Sequence, residues 1–351
     1  MTTSIIQTKS DIERTNTLLG KAPPVYRQAY SDRTSWLMAC FSELAYKKFN
    51  PPVLNLSTAN KLESILERTS SSKLSFEKIR QLVSAFAYDS EEEKESLIAD
   101  LNELKAELLE TFDSNGSQAI LIRTSRFLVL SFRGTEATSW RDIKSDAYAV
   151  LKSCETGGKV HSGFDAAFNV IERDIINALE KFPNLPLFIT GHSLGGALAT
   201  IAAKRLTHKG GNAACYTFGS PRVADDHWLM TMKTPIYRVV NASDSVTMVP
   251  PADVLITSLS WLLGLLPGVG DSVKRSLREK FGKYLHGGDM RYLTSISPGD
   301  YKSTRLLYHV DIWYRFRGWL NNKLPWTSVL ADHSISIYRK KLEQIALERN
   351  K

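Results

Sequence analysis

Apolar positions along the first third of the chain recur at helical steps. Trp36, Leu37, Cys40, Phe41 and Leu44 follow three- and four-residue spacing within residues 31–49, and Pro51-Pro52 ends the run, so a helix is predicted there. Residues 60–112 read as helical and charged. Ser90 and Glu93 have capping-box spacing, and Leu97, Leu101, Leu104 and Leu108 recur at heptad-like steps. This predicts a helical insertion packed on a main body, with a partner-binding coiled coil as the other use of the pattern. Beyond it the period shortens. QAILIRT (118–124) and RFLVLSFR (126–133) predict a hairpin around Ser125. A helix at 163–181, a strand at 186–190, a helix at 194–209 and strands at 213–218 and 236–241 follow. Such alternation predicts an α/β fold with a mostly parallel sheet flanked by helices, residues 1–351 forming one domain. The stretch 252–330 breaks the rhythm with apolar, basic and aromatic patches and reads as a cap or interfacial insertion. A final helix is predicted at 334–348.

Composition narrows the picture. A chain of 351 residues with 43% hydrophobic residues has ample material for a core. Its three cysteines, Cys40, Cys154 and Cys215, are widely spaced and odd in number, which argues against a disulfide framework or a Cys-based metal site. Residues 1–20 lack a basic region followed by an apolar one, so no signal peptide is expected, and the expectation is a cytoplasmic or peripheral membrane protein. The net charge of +8 comes without zinc-finger spacing, an RNP-like motif or a long basic run. Nucleic acid is therefore not an expected partner, whereas an anionic lipid surface remains one.

The sharpest local signal is FITGHSLGGALAT, residues 188–200: an apolar strand, a Gly-rich corner and a small-residue helix. A strand that becomes a helix within about one residue forces strained backbone at the apex. Gly191 and Gly195 remove the Cβ atoms that would collide there, and Ser193 is lifted to the helix N-terminus, where free N–H groups favour negative charge. A serine in an ordinary strand-to-helix turn gives a similar string, so the partners of Ser193 must decide between the two.

A serine hydroxyl needs a histidine base, which in turn needs a carboxylate to orient it. The strand ending IYRVV runs into Asn241-Ala242-Ser243-Asp244, which sets Asp244 just past a carboxyl end. Asp225 and Asp226 fall in a polar loop instead. Three histidines follow: His286 in LHGGD, His309 in an aromatic run, and His333 immediately before the last helix. All three satisfy the order serine, acid, base; His333 is favoured because a loop before the last helix can bring it back over the sheet, whereas His286 equally fits a turn residue and His309 a packed one. Oxyanion donors are expected at the Leu194 N–H, the residue after the serine, and at Thr135, where Gly134 ends the strand.

Taken in order, FRGTEATSWRDI, VHSGF, GHSLGGALA, FGSPRV, RVVNASDSVTMVPP and DHSISIY resemble the class 3 lipases, the fungal-lipase-like α/β-hydrolases. The resemblance spans roughly residues 125–251 and 330–338. It implies an α/β-hydrolase fold, Ser193 as nucleophile, Asp244 as acid and His333 as base, Thr135 and Leu194 as oxyanion donors, and no metal or organic cofactor. It also implies a lid over 135–150, in which Trp140, Ile143 and Ala147 fall on one face. The implied substrate is a lipid ester, a triacylglycerol or a phospholipid. A soluble-substrate carboxylesterase or thioesterase is the enzymatic alternative, and a silent member whose cap binds membrane or partner is the non-enzymatic one.

One segment bears on the membrane question. VLITSLSWLLGLLPGVG (254–270) carries no charge but is short for a bilayer span and is broken by Pro267. Lys274, Arg275, Arg278, Lys280 and Lys283 follow it, opposed by Glu279. An apolar segment beside a basic one fits a cap or a surface anchor better than a transmembrane helix.

Overall fold

The computed structural model describes residues 4–25, 29–50, 56–69, 83, 87–134, 151–154, 157–242, 244–249, 283–297, 299–308, 310, 311, 314 and 332–349. Thr135, Trp140, Ile143, the lid segment 135–150, the apolar stretch 254–270 and His309 lie outside them.

Four helices open the described chain: α1 (Lys9–Leu19), α2 (Asp32–Leu44), α3 (Leu56–Thr69) and α4 (Ser90–Glu103). Strands β1 (Ala106–Ser114), β2 (Ser117–Thr124) and β3 (Leu128–Phe132) form an antiparallel meander. A short ribbon of β4 (Leu151–Ser153) and β5 (Lys159–His161) leads into α5 (Ser162–Glu180). Then come β6 (Leu187–His192), α6 (Leu194–Arg205), β7 (Asn212–Phe218), the short α7 (Asp226–Met230) and β8 (Ile236–Asn241). Strands β9 (Asp289–Leu293) and β10 (Leu306–Leu307) and the closing α8 (Ile335–Glu348) complete the order.

The main sheet runs β1-β2-β3-β6-β7-β8-β9-β10. Neighbours from β3 to β9 are parallel, and the outer pairs are antiparallel. Both faces are covered, which explains why the central strands are apolar on both sides. Val129, Phe188, Tyr216, Phe218 and Val239 pack with α1, α2, α4 and α8. Leu128, Leu130, Leu187, Ile189 and Cys215 point the other way, into the core shared with α5 and α6. Each strand thus divides its side chains between two cores by its period of two.

Three sequence expectations change. Within the stretch expected to be helical over 60–112, the last described helix ends at Glu103. Lys105 turns the chain with φ +54°, and 106–114 is the edge strand β1. Leu104 and Leu108 mimic a helical step, and the register shift between Leu108 and Glu110 spoils the alternation that marks a strand. Within the expected cap insertion 252–330, the described residues 289–293 and 306–307 are strands of the main sheet, so this part belongs to the core architecture. Asp289-Met290-Arg291-Tyr292-Leu293 alternates, with Arg291 buried at the face of Tyr30, 4.7 Å from guanidinium to ring centroid. The helix expected at 194–209 also stops early, at Arg205, where Leu206 is extended.

Candidate active site

Ser193 sits between β6 and α6 with φ +58° and ψ −127°, a conformation that costs a non-glycine residue about 1–3 kcal/mol. Neighbouring glycines permit it. A Cβ on Gly191 would lie 2.2 Å from the Gly195 carbonyl oxygen, and one on Gly195 would lie 2.3 Å from the Phe132 carbonyl oxygen. The helix start therefore presses directly on the ends of β3 and β6. The Ser193 N–H donates to the Phe218 carbonyl at 2.9 Å, which anchors the corner to β7. Its side chain makes no capping bond to the helix, so Oγ is available for other partners.

That partner is His333, whose Nε2 is 2.8 Å from Ser193 Oγ. On the other side of the ring, Nδ1–H donates to Asp244 Oδ2 at 2.8 Å. All three residues are buried. The Asp244 carboxylate is itself fixed: the Tyr338 hydroxyl donates to Oδ2 at 2.5 Å and the Val246 N–H to Oδ1 at 2.9 Å. Strand ends at β6 and β8 and the N-terminus of α8 thus bring together three residues spread over 141 positions of sequence.

A second histidine, His192, lies against the first, with ring centroids 4.5 Å apart. Burial first, and the neighbouring His333 second, lower its pKa well below the usual 6.5, so the ring is neutral. Its contacts define the tautomer: Nε2–H donates to the His333 carbonyl at 2.6 Å, and Nδ1 accepts from the Tyr46 hydroxyl at 2.8 Å. Tyr46, two residues past α2, ties the N-terminal helical layer to the site.

Of the oxyanion donors expected from sequence, Leu194 is the first residue of α6, and its N–H has no acceptor within the helix. Thr135 is outside the described residues. Its neighbour Gly134 is described, and a Cβ there would lie 3.2 Å from Ser193 Cβ. The end of β3 therefore abuts the serine. His286 is elsewhere in function: its Nε2–H donates to the Thr247 carbonyl at 2.6 Å, bracing the turn that follows Asp244. Asp225 caps α7, accepting from the Trp228 and Lys159 N–H groups, both at 2.9 Å. Among the described residues no cluster of three or more His, Cys, Asp or Glu is arranged to hold a metal, and Cys40, Cys154 and Cys215 form no disulfide.

Sequence reasoning did not find Tyr338, Tyr46 or the role of His192. A signal existed for Tyr338: it lies on the stripe Ile335, Tyr338, Leu342, Ile345 that packs into the core, where a hydroxyl requires a partner.

The chemistry of this arrangement is proton transfer from a serine hydroxyl to an imidazole backed by a carboxylate, beside a helix N-terminus that can receive an oxyanion. Comparison with known proteins agrees in sequence and in shape. Residues 129–254 match the family described as lipase (class 3). The secreted mono- and diacylglycerol lipase 1 of Fusarium solani is 38% identical over 109 residues, 28% of this chain and 33% of that protein. The chloroplastic phospholipase A(1) DAD1 of Arabidopsis thaliana is 30% identical over 151 residues, 36% of this chain and 34% of that protein. The chain thus spans about a third of the length of the curated relatives it matches. The Rhizomucor miehei lipase–propeptide complex shares the fold with a TM-score of 0.51 at 18% identity, covering 88% of this chain and 82% of that one. The matched segment holds the serine corner, β7, β8 and Asp244. Over this segment the chain is similar to the class 3 lipases, and its fold is the α/β-hydrolase fold.

Proposed function

We propose that the protein is a serine hydrolase that cleaves carboxylic esters of lipids through an acyl-enzyme. One observation carries the reading: the unbroken hydrogen-bond chain from Ser193 Oγ through His333 to Asp244, set on strained backbone at the helix start. Ser193 Oγ attacks the ester carbonyl carbon while His333 Nε2 takes its proton. The tetrahedral oxyanion is received by the Leu194 N–H and, in this reading, by Thr135. His333 then gives the proton to the departing alkoxide, and water repeats the cycle on the acyl-serine. Asp244 holds the imidazole in the Nδ1–H tautomer and stabilises the imidazolium. No step calls for a metal or an organic cofactor.

The substrate class is supported by the relatives, which carry the names of acylglycerol lipase and phospholipase A(1). The basic residues Lys274, Arg275, Arg278, Lys280 and Lys283, beside the uncharged run 254–270, support peripheral contact with an anionic lipid surface. In the same reading residues 135–150, with Trp140 and Ile143 on one face, form the lid. A hydrolysis panel tests this: triacylglycerol, diacylglycerol, phosphatidylcholine and phosphatidylglycerol, each with the wild type and Ser193→Ala. Release of fatty acid from at least one lipid, absent in the variant, is the expected result. Hydrolysis of soluble short-chain esters or thioesters alone would replace the lipid assignment with an esterase one.

A further inference from the structure

A second buried polar cluster lies directly behind the acid and the base. Asn241, the last residue of β8, is fully buried. Its Nδ2 donates to the Asp332 carbonyl at 2.8 Å, and its Oδ1 accepts from the Ala242 N–H at 3.1 Å and from the Lys341 ammonium at 2.6 Å. Lys341 Nζ also donates to the Thr294 carbonyl at 2.8 Å, just past β9. The backbone N–H of Asn241 donates to the Tyr338 hydroxyl at 3.0 Å.

Lys341 is 1% exposed, and its position on the apolar side of α8 would accept a methionine of similar length. Taking an ammonium out of water is costly, and burial pulls this one down to about 8 against the opposing pull of Asp332. An amide whose oxygen is bound by an ammonium is a stronger donor through its nitrogen, so the lysine strengthens the bond from Asn241 to Asp332. That bond matters because the Asp332 carbonyl belongs to the peptide that begins His333. The next carbonyl, His333's own, is held by His192. Both peptide planes flanking His333 are therefore fixed from outside, one by an amide and one by an imidazole.

We propose that Asn241, fixed by Lys341, is a positioning residue for His333: it holds the peptide plane before the histidine and so keeps the imidazole between Ser193 and Asp244. The inference rests on the reading of His333 as the base. It is tested with Lys341→Met, Asn241→Ala and the near-isosteric Asn241→Asp, which keeps an acceptor for Lys341 but loses the donor to Asp332. Each is assayed on a soluble p-nitrophenyl ester and for the rate of Ser193 labelling by a fluorophosphonate, alongside its melting temperature. Arg205→Met, which breaks a partly buried ion-pair network at the far end of α6, is the control for lost stability without lost positioning.

The expected result is a kcat at least tenfold lower in all three site variants, KM within twofold, and labelling slowed in parallel. Adding Lys341→Met to Asn241→Ala lowers kcat no further, because both act through the Asn241 amide on Asp332. Arg205→Met loses melting temperature and keeps kcat within twofold. Folded Asn241→Asp and Lys341→Met proteins with wild-type kcat overturn the inference, as does an equal kcat loss in Arg205→Met. If Asn241→Ala does not fold, Asn241→Asp decides alone: wild-type kcat refutes, and a tenfold loss at an unchanged melting temperature supports. A wild type that neither turns over ester nor takes the label refutes the hydrolase reading itself and not merely this refinement.

Discussion

Replacing Tyr338 by phenylalanine removes one oxygen and disturbs two bonds. The hydroxyl donates to Asp244 Oδ2 at 2.5 Å and accepts from the Asn241 N–H at 3.0 Å, and the residue is fully buried. A hydrogen bond to a charged group contributes about 1.5–3 kcal/mol, and a buried N–H left without a partner costs about 1–3 kcal/mol. A loss of roughly 2.5–6 kcal/mol follows. With an unfolding entropy of about 2.1 cal/mol/K per residue, each kcal/mol lowers Tm by roughly 1.4 °C in a chain of 351 residues. Tyr338→Phe is therefore expected to melt about 3–8 °C below the wild type. Asp244 keeps His333 and Val246 as donors but gains freedom to rotate about its remaining contacts. If half of the lost carboxylate bond is expressed only when the imidazolium forms, kcat falls about three- to tenfold. Calorimetry and initial rates on a soluble ester measure both. A variant matching the wild type within 1 °C and in kcat would show that the carboxylate does not depend on this hydroxyl, and the account of how α8 holds the acid would be wrong.

Other perturbations give equally definite outcomes. His333→Ala is expected to abolish turnover, whereas His286→Ala, which loses the brace to the Thr247 carbonyl, should keep kcat within about tenfold; assays of the two purified, folded variants decide, and the reverse order would reassign the base. Lys341 makes stability depend on pH: its folded pKa, about 8, lies below the unfolded value near 10.4, so from pH 8 to 10.4 the unfolded chain binds the extra proton and this group adds stability as pH rises. Urea titrations at pH 7.5, 9 and 10 should show the wild type gaining on Lys341→Met by about 1.4 kcal/mol per pH unit above pH 8, and parallel curves would count against a buried ammonium. Gly195→Ala would set a Cβ 2.3 Å from the Phe132 carbonyl oxygen, and backbone cannot yield cheaply; it should lower both Tm and the rate of Ser193 modification, and a protein with wild-type values for both would contradict the tight corner.

How much of this was legible in the sequence differs by element. The serine corner is a local structure, written within residues 188–200 by an apolar run, two glycines and small helix residues, and it appears where that string predicts. The central strands were equally readable, because burial on both faces leaves a continuous apolar run. Strand β1 was not: Leu104 and Leu108 fall at a helical step, and a register irregularity disrupts the alternation. Strands β9 and β10 are short, and β9 carries a buried arginine and one buried tyrosine, which reads as a polar interruption until the packing is known. The groups that brace the site were the least legible. Tyr338 meets Asp244 across 94 positions and Lys341 meets Asn241 across 100, so no local pattern records either pair. A lysine or tyrosine on an otherwise apolar helix stripe announces only that a partner exists.

The central claim is that Ser193 is activated by His333, and covalent labelling reads it most directly. Wild-type protein treated with a fluorophosphonate should gain one adduct in its intact mass, and peptide mapping should place it on Ser193. Asp244→Ala should slow the reaction severely, and Ser193→Ala and His333→Ala should show none. Folded wild-type protein that stays unmodified, or that carries the adduct on another residue, would contradict the account.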